Sequence, residues 1–458
     1  MTSSVRNILK VPELRRRLLI TLGLLIVFRI GCYVTVPGVN TAVVSDMMAK
    51  AQEGAGAYGA LFGMMSLFTG GAFGQMALFG MGVMPYISAS IILQLLTTSV
   101  PYLEALAKEG EAGRKKIRRI ERYVTVGLCL FQGYVLVKVV EGSTGMAGTG
   151  ASLVSPSVPP LLFEAMAVLA LTTGSIFLMW IGEQMTEYGI GNGISLIIMA
   201  GIVARAPVAL NQILMNVNWK LEANPGKTSI LTLVLLVCLF AFIVAGIVLI
   251  TQAQRRIPMQ QAKQTRGRRV IGGQRHYMPL RVNQAGVIPI IFASSLLVFP
   301  TIIIKALERP LPGVYAFLAP IATGRGFAYI TLYAALIIFF CFFWTAVTFN
   351  PTQMSENLRD YGTFVPGIRP GRRTADYLET VMMRVTMAGA VFLAVIAIVP
   401  TALSNFTGFN WQVTGFFGGT GLLIVVGVAL DLVERIETHL LMRHYEGFMR
   451  KGRIRGRM

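Results

Sequence analysis

Ten stretches of this chain each run for about twenty residues with almost no charge, which restricts the fold more than any motif does. They lie near 18–36, 76–97, 121–141, 161–182, 194–215, 229–251, 284–304, 327–349, 381–403 and 415–434. A bilayer core about 30 Å thick takes about 20 apolar residues to cross as a helix. Backbone groups in hydrocarbon must pair within the segment or around a closed barrel, and runs of this length pair as helices. The composition is 54% hydrophobic and 14% charged, whereas soluble domains average about 25% charged. Mean hydropathy is +0.64. The expectation is an all-α membrane protein with ten transmembrane helices.

Charge placement sets the orientation, because cytoplasmic loops retain Lys and Arg. Of 41 basic residues, five fall in the N-terminal arm, seven in the loop between spans two and three, eight between six and seven, four between eight and nine, and seven in the tail from Arg435. Alternate segments hold only Lys50, Lys138, Arg205, Lys220, Lys227, Lys305, Arg309 and Arg325. Both termini are therefore expected on the cytoplasmic side. The four cysteines sit in separate apolar runs without metal-ligand spacing, which reads as buried thiols. The run after Arg15–Arg17 is too long for the core of a cleaved signal peptide.

The chain also repeats itself. GVMPYISASIIL (82–93) and GVIPIIFASSLL (286–297) share Gly, Val, Pro, Ile, Ala, Ser and Leu at matched places. They fall in spans two and seven, five spans apart, so the copies run in opposite directions. This predicts two five-helix halves of inverted topology, 1–220 and 221–458, around a central pathway. GNGISLII (191–198) and GTGLLIVV (419–426) are a weaker echo at spans five and ten. On a helix, Val83, Ile87, Ser90 and Gln94 share one face, matched by Val287, Ile291 and Ser294. Such a face suits an aqueous path or a small-residue helix seam. Before span two, AYGALFGMMSLFTGGAFGQM (57–76) has an apolar part too short to cross. It reads either as a re-entrant half-helix, able to act as a removable stopper, or as an interfacial helix.

The loop 252–281 holds eight Lys/Arg and no Asp/Glu. With KEGEAGRKKIRRIER (108–122) and RKGRIRGR (450–457), its charge exceeds what topology needs. It suits a polyanion or an acidic protein surface. Enzymatic chemistry has little to stand on. His276, His439 and His444 have no metal-motif spacing, and GIGNG (189–193) lacks the strand and lysine of a phosphate loop. No cofactor, no metal and no catalytic residue is expected. Arg29, deep in span one, is read as structural. Two functions fit: a secondary transporter of a small solute, or a passive channel gated by branched apolar side chains such as Val83, Ile87 and Ile291. A membrane scaffold would leave the paired proline segments without a purpose.

MPYISASIILQLL, KEGEAGRKKI, GEQMTEYGIGNGIS, AGVIPIIFASS, FVPGIRPGRRT and FGGTGLLIVV, in this order across nearly the whole chain, resemble the signature stretches of the bacterial SecY family of protein-translocase channels. The resemblance implies ten helices in two inverted halves around an hourglass pore. The pore would conduct unfolded secretory polypeptides and release transmembrane segments sideways into lipid. It implies a pore ring of Val83, Ile87, Ile194, Ile198, Ile291 and Ile424. It places a plug around 61–74, with Leu61, Phe62, Met64, Met65, Leu67, Phe68, Gly70 and Gly71. A lateral gate would lie between spans two and seven, with Ser90, Gln94, Asn283 and Ser294 as its polar residues. Arg255, Arg256 and Arg369, joined by Lys263, Arg266, Arg268 and Arg269 of the same basic loop, would dock the SecA motor or the ribosome. Further implied partners are SecE and SecG, signal sequences and nascent chains, and membrane lipid; the implied location is the bacterial inner membrane.

Overall fold

A computed structural model of the chain describes residues 11–40, 44, 66, 69–146, 159–218, 228–262, 264–266, 269–271, 273, 275–284, 286–306, 311–322, 326–407 and 419–451. Each of the ten apolar runs carries a helix. In the first half these are α1 (Pro12–Gly31), α2 (Met84–Ser99), α4 (Glu111–Met146), α5 (Pro160–Tyr188) and α6 (Gly193–Asn216), with the short α3 (Pro101–Lys108) after α2. Then follow α7 (Ile230–Gln252), α8 (Ile288–Ala306), α9 (Pro312–Ala322), α10 (Phe327–Thr348), α11 (Pro351–Asp360), α12 (Arg372–Thr407) and α13 (Gly419–Lys451). Among the described residues, five helical stretches are long and apolar enough by themselves to cross a membrane. α2 and α3 meet that test as a pair bent by 96°. The short α3, α9 and α11 are additions to the ten-run reading.

Prolines start several of these helices, while Pro207, Pro300 and Pro320 lie inside α6, α8 and α9. α1, α2, α3, α5 and α11 each carry Pro in the first two positions, where the missing N–H has no intrahelical partner to lose. At α11 the Asn350 side chain also accepts from Gln353 N at 3.2 Å. Outward-facing residues are those of a lipid-exposed protein: Ile26, Phe131, Phe242 and Leu249 are each at least 61% exposed.

The chain divides into two compact units. The first comprises Met1–Ile230, Gly408–Phe417 and Ile424–Met458; the second comprises Leu231–Thr407 and Gly418–Leu423. In the first, α4 lies along α5 and α2 along α4. Ion pairs sit at both ends of the α4–α5 contact. Arg122 donates twice to Glu183, at 3.1 and 2.8 Å, and Lys138 pairs with Glu164. The stretch before α2 is not a helix until Met84. It makes a 3-10 turn (Phe73–Gln75), a left-handed residue at Met76 (φ 46°) and a strand-like bridge in which Val36 N donates to Met76 O and Leu78 N to Val34 O. Span two therefore begins eight residues later than its hydropathy indicates.

Glycines make room for that irregular backbone. A Cβ on Gly31 of α1 would lie 2.0 Å from the Phe79 ring, and one on Gly174 of α5 would lie 2.0 Å from Leu78 O. The ring of Phe79 continues a row of stacked aromatics from Phe28 to Phe177 and Trp180.

In the second unit, the segment after α7 is a β-ribbon, not a loop. Strands β3 (Gln254–Gln261) and β6 (Arg275–Arg281) pair antiparallel, with Ile257 opposite Met278, and β7 (Thr363–Phe364) extends the sheet beyond β3. Its tip carries β4 (Gln264–Arg266) paired with β5 (Arg269–Ile271). Strands β1 (Val217–Asn218) and β2 (Thr228–Ser229) form a separate two-residue pairing in the first unit. Ile257, Met278 and Leu280 point inward onto Phe349, Val365, Leu378 and Met382. α10 packs along α12, and Phe292 of α8 meets Phe340 and Trp344 of α10 edge-on.

Gly174→Ala is expected to destabilise the chain by roughly 1–3 kcal/mol, the usual range for overpacking, and toward its upper end because the clash is with backbone. Gly127→Ala, where a Cβ meets nothing within 4 Å, is expected to be neutral or stabilising. Thermal unfolding of the two variants in detergent, followed side by side, checks the difference.

Candidate functional site

The two copies of the repeated 12-mer adopt the same local structure. Gly82 has φ 59° and Gly286 φ 62°, a left-handed conformation that glycine takes without a steric penalty. The helix starts two residues later in each, at Met84 and Ile288, which puts Pro85 and Pro289 in the first turn. Ile87 N then donates to Val83 O at 3.1 Å, and Ile291 N to Val287 O at 3.3 Å. The isoleucines are each 5% exposed, and Ala89 and Ala293 are wholly buried. The Gly/Pro pair thus makes a sharp helix start.

The six ring candidates are distributed between the units. Val83, Ile87, Ile194, Ile198 and Ile424 belong to the first and Ile291 to the second. Ile194 and Ile198 are aimed by the GIGNG turn, which three side chains hold. Thr21 Oγ1 of α1 accepts from Ile190 N (3.3 Å), Thr186 Oγ1 from Gly193 N (2.9 Å), and Asn192 Oδ1 from Ile194 N (3.1 Å). Gly182 gives Ile194 its place, since a Cβ there would lie 2.8 Å from Ile194 Cγ1.

The polar gate candidates are anchored within their own units. Asn283 donates to Gly286 O at 3.0 Å, closing the turn before α8, and Ser294 donates to Ile291 O at 2.9 Å. On α2, Ser90 and Gln94 are half-buried, while Ile92 and Leu96 on the other face are exposed. Tyr86 and Ser90, one turn apart on α2, lie beside the Glu121 carboxylate of α4. Sequence reasoning missed Glu121, although a carboxylate at the first residue of a span (Glu121 in RRIERYVTV) is a signal that could have found it.

Of the plug candidates, Gly70 and Gly71 are described, both with positive φ (64° and 96°). Leu61, Phe62, Met64, Met65, Leu67 and Phe68 lie outside the described residues.

The docking candidates stand on rigid supports. Arg255 and Arg256 are exposed on β3, immediately before buried Ile257. Arg266 and Arg269 are register partners in the β4–β5 pairing at the ribbon tip, and Lys263 and Arg268 lie outside the described residues. Arg369 is exposed on a turn between Gly367 (φ 85°) and Gly371 (φ 105°). Thr374 Oγ1 donates to Arg369 O (2.9 Å) and Ser355 Oγ to Gly371 O (2.6 Å), fixing that turn. On the exposed α3, the hydrogen bond and charge of Lys108 hold Glu104 below its usual carboxylate range.

Among the described residues no group of three or more His, Cys, Asp or Glu could hold a metal ion.

The helix starts predict a graded response. Gly286→Ala meets no atom within 4 Å and is expected to cost about 1–2 kcal/mol from its left-handed backbone alone. Gly82→Ala adds a contact at 3.0 Å from Thr69 Cγ2 and is expected to cost more. Asn at Gly286 is expected to recover part of the loss. Denaturation midpoints of the three variants check the order.

Comparison with known proteins agrees with this architecture. The SecY family model matches residues 77–433. A curated relative from Thermotoga maritima, "Protein translocase subunit SecY", is 42% identical over 457 residues, covering 100% of both chains. A solved structure described as "The structure of a protein conducting channel" shares the fold at TM-score 0.59 and 17% identity, covering 93% of this chain and 92% of that one. Another, "The plug domain of the SecY protein stablizes the closed state of the translocation channel and maintains a membrane seal", does so at TM-score 0.58 and 19% identity, with the same coverage. With one family model across most of its length and a full-length relative at this identity, the chain belongs to the SecY family.

Proposed function

We propose that this chain is the protein-conducting channel of a translocase, a multi-pass protein of the inner membrane that passes unfolded polypeptides across it. The observation that carries this reading is the shared helix start at Gly82–Pro85 and Gly286–Pro289 in a SecY-family chain. Each copy buries an isoleucine one turn into the helix and an alanine beside it. In the proposed mechanism Val83, Ile87, Ile194, Ile198, Ile291 and Ile424 form an apolar collar. The collar excludes water and ions by refusing to hydrate them, and it binds nothing. The segment 61–74 acts as the plug. The chain conducts and does not catalyse.

A signal sequence enters between spans two and seven, where Ser90, Gln94, Asn283 and Ser294 line the lateral gate, and exchanges helix contacts for its own apolar surface. Segments of about 20 apolar residues leave sideways, since each Leu or Ile contributes about −0.3 to −0.6 kcal/mol on the insertion scale. SecE and SecG are the proposed membrane partners, and both termini are cytoplasmic. The β3–β6 ribbon with Arg255 and Arg256, its tip from Lys263 to Arg269, and the Arg369 turn are the proposed dock for SecA or the ribosome. Support comes from exposed guanidinium groups standing on a sheet whose other face is packed on apolar residues.

A photocrosslinker at Ile87 or Ile291, with a secreted precursor stalled halfway across, is expected to capture the precursor; no adduct at either place would overturn the collar. Charge reversal of Arg255 and Arg256 to Glu is expected to weaken motor or ribosome binding by at least tenfold at low salt, with a smaller gap at high salt. Thermal stability should be unchanged, because both side chains are exposed. Binding isotherms at two ionic strengths check this.

A further inference from the structure

Two arginines from different helices converge on one short turn of the first unit. Arg29 of α1 donates through Nη1 to Gly70 O (3.0 Å) and through Nη2 to Tyr33 Oη (2.7 Å). Its guanidinium also lies over the Tyr33 ring, 4.9 Å from the centroid. Arg205 of α6 donates through Nη2 to Ser66 Oγ. The same guanidinium rests against Gly71, where a Cβ would lie 2.9 Å from Nη2. One turn earlier on the same face of α6 is Gly201, whose Cα would be 2.9 Å from a Cβ on Gly70. The turn therefore sits in a notch cut by Gly201 and is held from two sides by cations.

The turn is itself preformed. Gly71 N donates to Ser66 O (2.9 Å), Phe73 N to Thr69 Oγ1 (3.2 Å), and Cys32 Sγ to Thr69 O (3.8 Å). Its left-handed glycines hold the carbonyl of residue 70 toward Arg29. Both acceptors of the two arginines on this turn, a carbonyl and a hydroxyl, are neutral. Charge-assisted bonds to such groups are strong in a dry surrounding. A guanidinium loses little when water takes the acceptor's place, because it can be hydrated in turn. An apolar side chain would serve static packing at lower cost than two like charges in a membrane protein. Two like charges on one turn therefore suit a contact that is made and broken.

We propose that Arg29 and Arg205 are positioning residues that latch the base of the plug, at Ser66, Gly70 and Gly71, in the closed channel and release it on opening. This rests on the reading of 61–74 as the plug. Arg205 entered the sequence analysis only as a charge on the extracytoplasmic side; its spacing of four from Gly201 is what gives it this place.

The test uses the full translocase complex in vesicles, with two readouts. One is resting permeability, measured as halide quenching of a trapped dye; the other is motor-driven precursor translocation. Arg205→Ala is expected to raise the resting leak roughly tenfold or more, the loss of one hydrogen bond to a charged group. Translocation should not fall. Ser66→Ala is expected to leak similarly, with no further increase when combined with Arg205→Ala. Arg205→Lys should restore part of the seal. A sealed Arg205→Ala channel that translocates normally overturns the latch. So does a fall in translocation in step with thermal stability, because that marks a purely structural arginine. A leak in Arg205→Ala with none in Ser66→Ala overturns the assigned contact. A wild-type complex that moves no precursor overturns the channel reading itself.

Discussion

Backbone pairing inside hydrocarbon is the constraint on which this structure depends. Helices meet it automatically, but residues 69–83 do not form a continuous helix, and every departure needs its own partner. The partners are specific. Residues 34–36 supply a strand-like rung to 76–78, and Ala72 O accepts from Ala77 N. The Gly70 carbonyl is given a guanidinium. The close approach that makes this possible comes from missing side chains at Gly31, Gly174 and Gly201, one on each of three surrounding helices. Span one, span four and span five are thus shaped around a piece of chain that is itself not a span.

The second unit solves a different problem: holding positive charge in the open without losing its arrangement. A free loop with the composition of 252–281 would lose its geometry to its own repulsion. Pairing β3 with β6 puts Ile257, Met278 and Leu280 on one face, where they join the apolar cluster formed with α12. The arginines are then carried by the cluster. Arg369 reaches the same result by other means, on a turn bounded by two left-handed glycines and closed by two hydroxyls.

Much of this was legible in the sequence. Length and apolarity of the runs fixed helices in all ten places, because no other structure satisfies such runs. The repeated 12-mer pointed to two corresponding helices, and the matching φ values at Gly82 and Gly286 give that identity a backbone form. What stayed hidden was hidden for physical reasons. Span two was begun at Met76 rather than Met84 because hydropathy cannot tell an apolar helix from an apolar turn. The ribbon was missed because its exposed positions are arginines and glutamines, which mask the alternation of its few buried ones. Glu121 was passed over because a charge at the end of a span resembles ordinary topology until its partner in space is known, and Arg205 because it was counted only among the loop charges although it lies mid-helix.

The proline at the start of α2 has an electrostatic corollary. This helix has no side-chain cap; its N-cap position is Val83, an aliphatic residue, and Pro85 removes one of the donors that a cap would serve. Ile87 therefore lies in the first turn, at the positive end of its helix, equivalent to about half an elementary charge. Ile291 holds the matching place in α8. A cation brought to either helix start is resisted twice: once by a side chain that offers nothing to replace its water, and once by the sign of the field.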